Sequence, residues 1–163
     1  MEKDPHRRAA DRFAERLQTE LGERLISVVL YGSVARSEHR EDSDVDMLVV
    51  VSQLPTGAHA RRNLIRRVEE PVEDELRSER PFACIITVMK TPTEVSRGGP
   101  LFYDMTLPGG CVVYFDRDDS FADFLQSMRE KMQKLGSIRR HTDTGYPYWD
   151  LKPDWRPGDK VDL

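Results

Sequence analysis

The chain has 163 residues, 38% hydrophobic and 33% charged, the length and composition of one soluble domain with its own core. Its 25 Lys and Arg against 29 Asp and Glu give a formal charge of −4, which disfavours a broad nonspecific nucleic-acid surface while leaving room for a local basic patch. Two cysteines without ligand spacing, no apolar leader and no run long enough to cross a bilayer set aside disulfide scaffolds and membrane proteins, so a cytoplasmic location is expected.

From about Asp4 to Leu21, Ala10, Phe13, Ala14, Leu17 and Leu21 recur at three- and four-residue spacing, the pattern of an amphipathic helix with Pro5 in its first turn and Gly22 at its end. LISVVLY, Leu25 to Tyr31, is apolar and β-branched and predicts a buried strand that stops at Gly32. There the backbone can turn and a ligand can approach closely. Ser33 adds a hydroxyl beside the unpaired N–H groups of a short helical stretch, which makes an anion cradle, and Arg36 brings a planar cation to the same side.

After a polar loop from Glu38 to Ser43, Asp44 and Asp46 lead into a second apolar strand that ends near Ser52. Residues two apart on a strand face the same way, roughly 6–7 Å apart. Two carboxylates so placed repel unless a cation lies between them, and a hard divalent ion such as magnesium suits an oxygen donor set. Ser43 reads either as a residue that caps or orients the aspartates or as a plain turn serine.

A helix from roughly Ala58 to Ser78 carries Ile65, Val68, Val72 and Leu76 on one stripe, with Pro71 expected to kink or divide it. Its cluster of Arg61, Arg62, Arg66 and Arg67 reads as a solvated face. Pro81 to Met89 predicts a strand, Thr91-Pro92-Thr93-Glu94 a capping box, and Cys111 to Phe115 a short strand. Cys84 and Cys111, both within predicted strands, are expected to be reduced core residues. The last helix starts near Asp119 or Ser120, buries Phe121, Phe124, Leu125, Met128, Met132 and Leu135, and ends at Gly136. In the remainder, Tyr146, Tyr148, Trp149 and Trp155 alternate with prolines and charges, too aromatic for a solvated tail. Burial of at least two of these rings and a path near the aspartates are expected, while His39 and His141 read as surface residues.

The ordered string GSVARSEHREDSDVD, Gly32 to Asp46, resembles the signature of the DNA polymerase β-like nucleotidyltransferase superfamily, and the chain length resembles its small, minimal members, antitoxin-type enzymes included. The alternation of helix and strand predicts an α/β fold with a mixed sheet of about four strands and packed helices; with the resemblance, residues 1–136 are expected to be a nucleotidyltransferase domain, and the aromatic content of 137–163 predicts an extension packed on the domain or on a partner. The resemblance implies nucleotide binding by Gly32, Ser33, Arg36 and Ser43, and catalytic Mg²⁺ or Mn²⁺ on Asp44 and Asp46. The reaction implied is transfer of an NMP group from an NTP, with ATP expected, to a hydroxyl of a protein, RNA or small molecule. The alternative is a silent nucleotide-binding or partner-binding module, such as the antitoxin-like half of a two-protein system. Two departures stand out: Ser37 occupies a position where the family usually has glycine, and the Pro81 to Met89 run lacks the third carboxylate that the family adds. Glu94 and Asp104 are the candidates for that role.

Overall fold

Side-chain alternation along two strands divides the molecule into layers. In the computed structural model, which describes residues 4–161, β1 is Leu25–Tyr31, β2 Val45–Val51, β3 Ile85–Lys90 and β4 Val112–Asp116. They form one sheet in the order β3-β2-β1-β4. β1 runs antiparallel to β2 and β4, whereas β2 and β3 are parallel. The sheet is therefore mixed and four-stranded, as expected, and β2 is an inner strand because it is apolar on both faces.

Val28 and Leu30 of β1 and Met47, Val49 and Val51 of β2 pack on one face. They meet the apolar stripes of α1 (Pro5–Leu21) and α3 (Ala58–Glu79). Val29, Leu48 and Val50 point the other way, into a second cluster. That cluster is closed by α4 (Pro92–Ser96), two 3-10 turns at Pro100–Phe102 and Asp104–Thr106, and α5 (Ser120–Lys134). Each fully buried aliphatic side chain on these strands stabilises by roughly 1.5–3 kcal/mol, so the strand pair is anchored from both of its faces.

Asp116 joins the sheet to α5. Its carboxylate accepts the Ser27 hydroxyl at 2.8 Å and the backbone N–H groups of Phe121 and Ala122 at 3.0 and 2.9 Å, so it satisfies the first turn of the helix from outside. Beyond α5 the chain forms a hairpin of β5 (Ile138–His141) and β6 (Pro147–Asp150). Among the described residues, no helix is long and apolar enough to cross a membrane.

Several expectations need correction. The third strand starts at Ile85, since residues 81–84 form a turn in which the Ala83 N–H donates to the Arg80 carbonyl. α3 runs through Pro71 as one helix, because burial of Val68 and Val72 on either side outweighs one missing hydrogen bond. Cys84 and Cys111 are free but half-buried, each just before a strand rather than inside it. In the hairpin Trp149 is partly buried against the second core, whereas Tyr146 and Tyr148 are exposed, because a two-stranded ribbon on a surface has only one covered face; Trp155, beyond the hairpin, is exposed as well. His39 is mostly covered, not a surface residue, and packs against His6.

Candidate active site

The site grows from the antiparallel register of β1 and β2, which sets Tyr31 opposite Asp46. Tyr31, Leu48 and Val50 face the second core, and the period of two puts Asp46 and Asp44 on that side of the sheet. β1 then turns sharply. Gly32 adopts φ +71° and opens α2 (Gly32–Ala35), whose start no side chain caps. A Cβ at Gly32 would lie 2.1 Å from Asp46 Oδ2. The glycine is thus needed to admit the aspartate's own carboxylate, as well as to allow the turn.

Asp44 is fixed from the other side. Its Oδ1 accepts the Cys84 N–H at 2.9 Å, next to the bond from the Val45 N–H to the Cys84 carbonyl. Burial raises the Asp46 pKa, Asp44 raises it further, and Arg36 opposes both. Burial and Asp46 together push the Tyr31 phenol up to about 12. The end of the strand pair therefore carries two coupled carboxylates beside an uncapped helical turn.

Arg36 bonds Glu38 through Nε at 2.8 Å, an exposed partner worth under about 1 kcal/mol and readily exchanged. Ser37 has φ +59°, the left-handed backbone that favours glycine. Ser33 lies partly exposed within α2. The Ser43 hydroxyl accepts the Arg40 N–H at 2.9 Å and so closes the turn before Asp44.

Beside Gly32 lies a cavity of about 520 Å³, lined among others by Tyr31, Gly32, Arg36, Asp104, Tyr148 and Trp149. Asp44 and Asp46 are not in this lining; Asp46 sits behind Gly32. The volume lies within the usual range for small-molecule sites. A family model described as a nucleotidyltransferase domain matches residues 10–95, more than half of the 163-residue chain.

The chain belongs to the nucleotidyltransferase domain family. Over 93% of this nucleotidyltransferase and 93% of its relative, it is 23% identical to a Methanocaldococcus jannaschii protein named "Putative protein adenylyltransferase MJ1305". A second protein of that organism, named "Putative protein adenylyltransferase MJ0141", is 43% identical over 44 residues, 27% of this chain and 44% of the relative. Two solved toxin-antitoxin structures superpose on 77% of this chain and 88% of theirs. One, with AMP-PNP, gives a TM-score of 0.48 at 14% identity; the other, a mutant, gives 0.46 at 13%.

The nucleotidyltransferase places the two remaining carboxylates very differently. β3 runs parallel to β2 with Ile86 beside Asp46 and Lys90 beside Val50, so Glu94, beyond the end of β3, is at the opposite end of the sheet from the aspartates. It makes the capping box with Thr91 and binds Arg61 at 2.8 Å. The Arg61 bond, with the Thr91 N–H, holds its carboxyl below the usual range. Asp104 does face the cavity, yet its oxygens accept Trp149 Nε1 at 2.8 Å and Arg139 Nε at 3.1 Å. Burial opposes its ionisation, but Trp149, Arg139 and Arg36 together bring its pKa below the ordinary value. The arginine cluster on α3 is paired in part, Arg62 with Glu69 and Arg66 with Glu70. Sequence reading did not find Tyr31 or the Asp104–Trp149 contact. The aromatics of the tail were the only signal for the latter.

Proposed function

We propose that this nucleotidyltransferase moves AMP from ATP to a hydroxyl of a protein, the hydroxyl losing its proton as it bonds the α-phosphorus and pyrophosphate leaving, with a divalent metal held by Asp44 and Asp46. The observation that carries the reading is the Asp46 carboxylate set against Gly32, with Asp44 one strand repeat away and raising its pKa. Two repelling carboxylates form an oxygen donor set that magnesium or manganese would satisfy. Asp44 offers Oδ2, since Oδ1 is engaged by Cys84. When bound, such an ion supplies charge neutralisation at the phosphates and acidifies an attacking hydroxyl.

The chain's own groups account for the rest of the reading. Gly32, Ser33 and the α2 N–H groups receive phosphate oxygens, and Arg36, released from Glu38, neutralises part of their charge. Tyr148 and Trp149 supply aromatic faces against which a base can stack. Ser43 holds the turn that presents Asp44. The protein acceptor is suggested by the names of the two relatives. We read residues 1–136 as the nucleotidyltransferase domain and 137–163 as an extension packed on it; Trp149 and Leu151 against the second core support this division.

The test is label transfer. Purified full-length protein is incubated with each α-labelled NTP, Mg²⁺ or Mn²⁺, and a protein extract. Label from ATP should appear on protein bands, and the Asp44→Asn/Asp46→Asn variant should give none. Retained nucleotide binding without transfer from any NTP would instead identify a silent nucleotide-binding module.

A further inference from the structure

The start of α1 and the loop between Arg36 and Asp44 meet at three side chains outside the active-site reading: Asp4, His6 and His39. Asp4 caps α1 by accepting the Arg7 N–H on Oδ2 at 3.0 Å. Its Oδ1 faces the two imidazoles, 3.3 Å from His39 Nε2 and 3.6 Å from His6 Nδ1. The two rings meet edge to face with centroids 4.7 Å apart. One ligand atom from each of the three residues lies within 4.8 Å of the other two.

His6 supplies an independent observation. It is 1% exposed, and neither ring nitrogen has a hydrogen-bond partner among the described residues; His39 Nδ1 is buried and unpartnered as well. Buried polar atoms are nearly always satisfied, and leaving one bare is costly. An imidazole with a bare nitrogen beside a second imidazole and a carboxylate oxygen is an electron-pair donor without an acceptor.

We propose that Asp4, His6 and His39 bind a zinc ion. Two imidazole nitrogens and one carboxylate oxygen are a borderline-soft donor set that suits zinc, and they do not suit magnesium or calcium. Asp4 is 36% exposed, so ion entry and a fourth, water-filled position lie on its side. The site is chemically distinct from the all-oxygen pair at Asp44 and Asp46 and does not depend on that assignment. Its consequence is mechanical: His39 lies between the Gly32 turn and the aspartates, so an ion on it fastens that loop to the start of α1. Arg7 already ties the two by donating to the Ala35 carbonyl at 2.9 Å.

The experiment uses untagged full-length protein in the Asp44→Asn/Asp46→Asn background, stripped of metal, so that the other carboxylate pair cannot contribute. Cobalt, as a spectroscopic stand-in, and then zinc, in competition with a chromophoric chelator, are titrated in. One equivalent should bind, with cobalt bands of four-coordinate geometry. His39→Ala should weaken zinc binding by about 100-fold or more and Asp4→Asn by at least about tenfold, as ligand and outer-shell losses do. Asn still caps a helix, so Asp4→Asn should melt close to the parent without metal, whereas His39→Ala also loses the ring contact with His6; each variant is therefore compared with its own metal-free form, and zinc should raise the melting temperature of the parent but not of His39→Ala. His6→Ala is avoided because removing a buried ring opens a cavity. Zinc binding no tighter than micromolar in the parent, or unchanged affinity in both variants, would overturn the site.

Discussion

Gly32→Ala tests the active-site geometry most directly. At φ +71° an alanine carries a left-handed backbone penalty of about 1–2 kcal/mol, offset by roughly 0.5 kcal/mol from a stiffer unfolded chain. The new Cβ would meet Asp46 Oδ2 at 2.1 Å, so the carboxylate must rotate off its rotamer at a further cost of about 1 kcal/mol. The expected loss is about 2 kcal/mol by urea denaturation. Gly136→Ala is the control, because Gly136, just past the end of α5, also has positive φ, +70°, but nothing within 4 Å of its Cβ position; it should lose only about 1 kcal/mol. Adding Asp46→Ala to Gly32→Ala should return about 1 kcal/mol, the rotamer part of the loss. If Gly32→Ala costs no more than Gly136→Ala, or the double variant shows no coupling, Asp46 does not press on this turn and the geometry argued from it fails.

Asp46 also makes a pH prediction. Its folded-state pKa lies above 3.8, so the folded protein binds this proton more readily, and the penalty for ionising it is absent below the unfolded value and complete above the folded one. Asp46→Asn should therefore be more stable than wild type at pH 7 and indistinguishable from it near pH 3; an equal gain at both would contradict the desolvation and Asp44 argument. Asp116→Ala should lose about 3 kcal/mol in urea, since it uncaps α5 and strands the buried Ser27 hydroxyl, and a loss below 1 kcal/mol would mean that this cap is redundant. Trp149→Phe, which keeps a ring but not the bond to Asp104, should cost about 1 kcal/mol, and Trp149→Ala about 2–3; equal losses in the two would assign the docking to the hydrogen bond alone.

What the sequence disclosed and what it hid divide along contact range. The strand, turn and paired aspartates were legible because Leu25 to Tyr31, Gly32 and Asp44 to Val51 carry local signals: β-branching, a glycine stop and alternation. The capping box at Thr91 and Glu94 was equally local, and it was found as read. That Glu94 lies at the wrong end of the sheet followed only from the parallel register of β3 with β2, which no local pattern encodes. The pressure of Asp46 on Gly32 likewise depends on two strands meeting. His6 looked like an ordinary first-turn residue, because its neighbour His39 is 33 positions away and no periodicity joins a helix start to a loop. Pro71 misled in the other direction, since a local rule predicts a break where long-range packing holds the helix together.

The wall of the cavity that includes Trp149 is not part of the sheet at all; it comes from the hairpin, fastened through Asp104 and Arg139. Any molecule that fills the cavity touches both the β1 turn and this late segment, so its binding free energy and that of hairpin docking are linked and must act on one another by the same factor. A ligand should slow amide exchange in Ile138 to Asp150, and loosening the hairpin should weaken the ligand equally. The last strands of the chain thus act as a reporter of occupancy at a site whose defining residues were set down more than a hundred positions earlier.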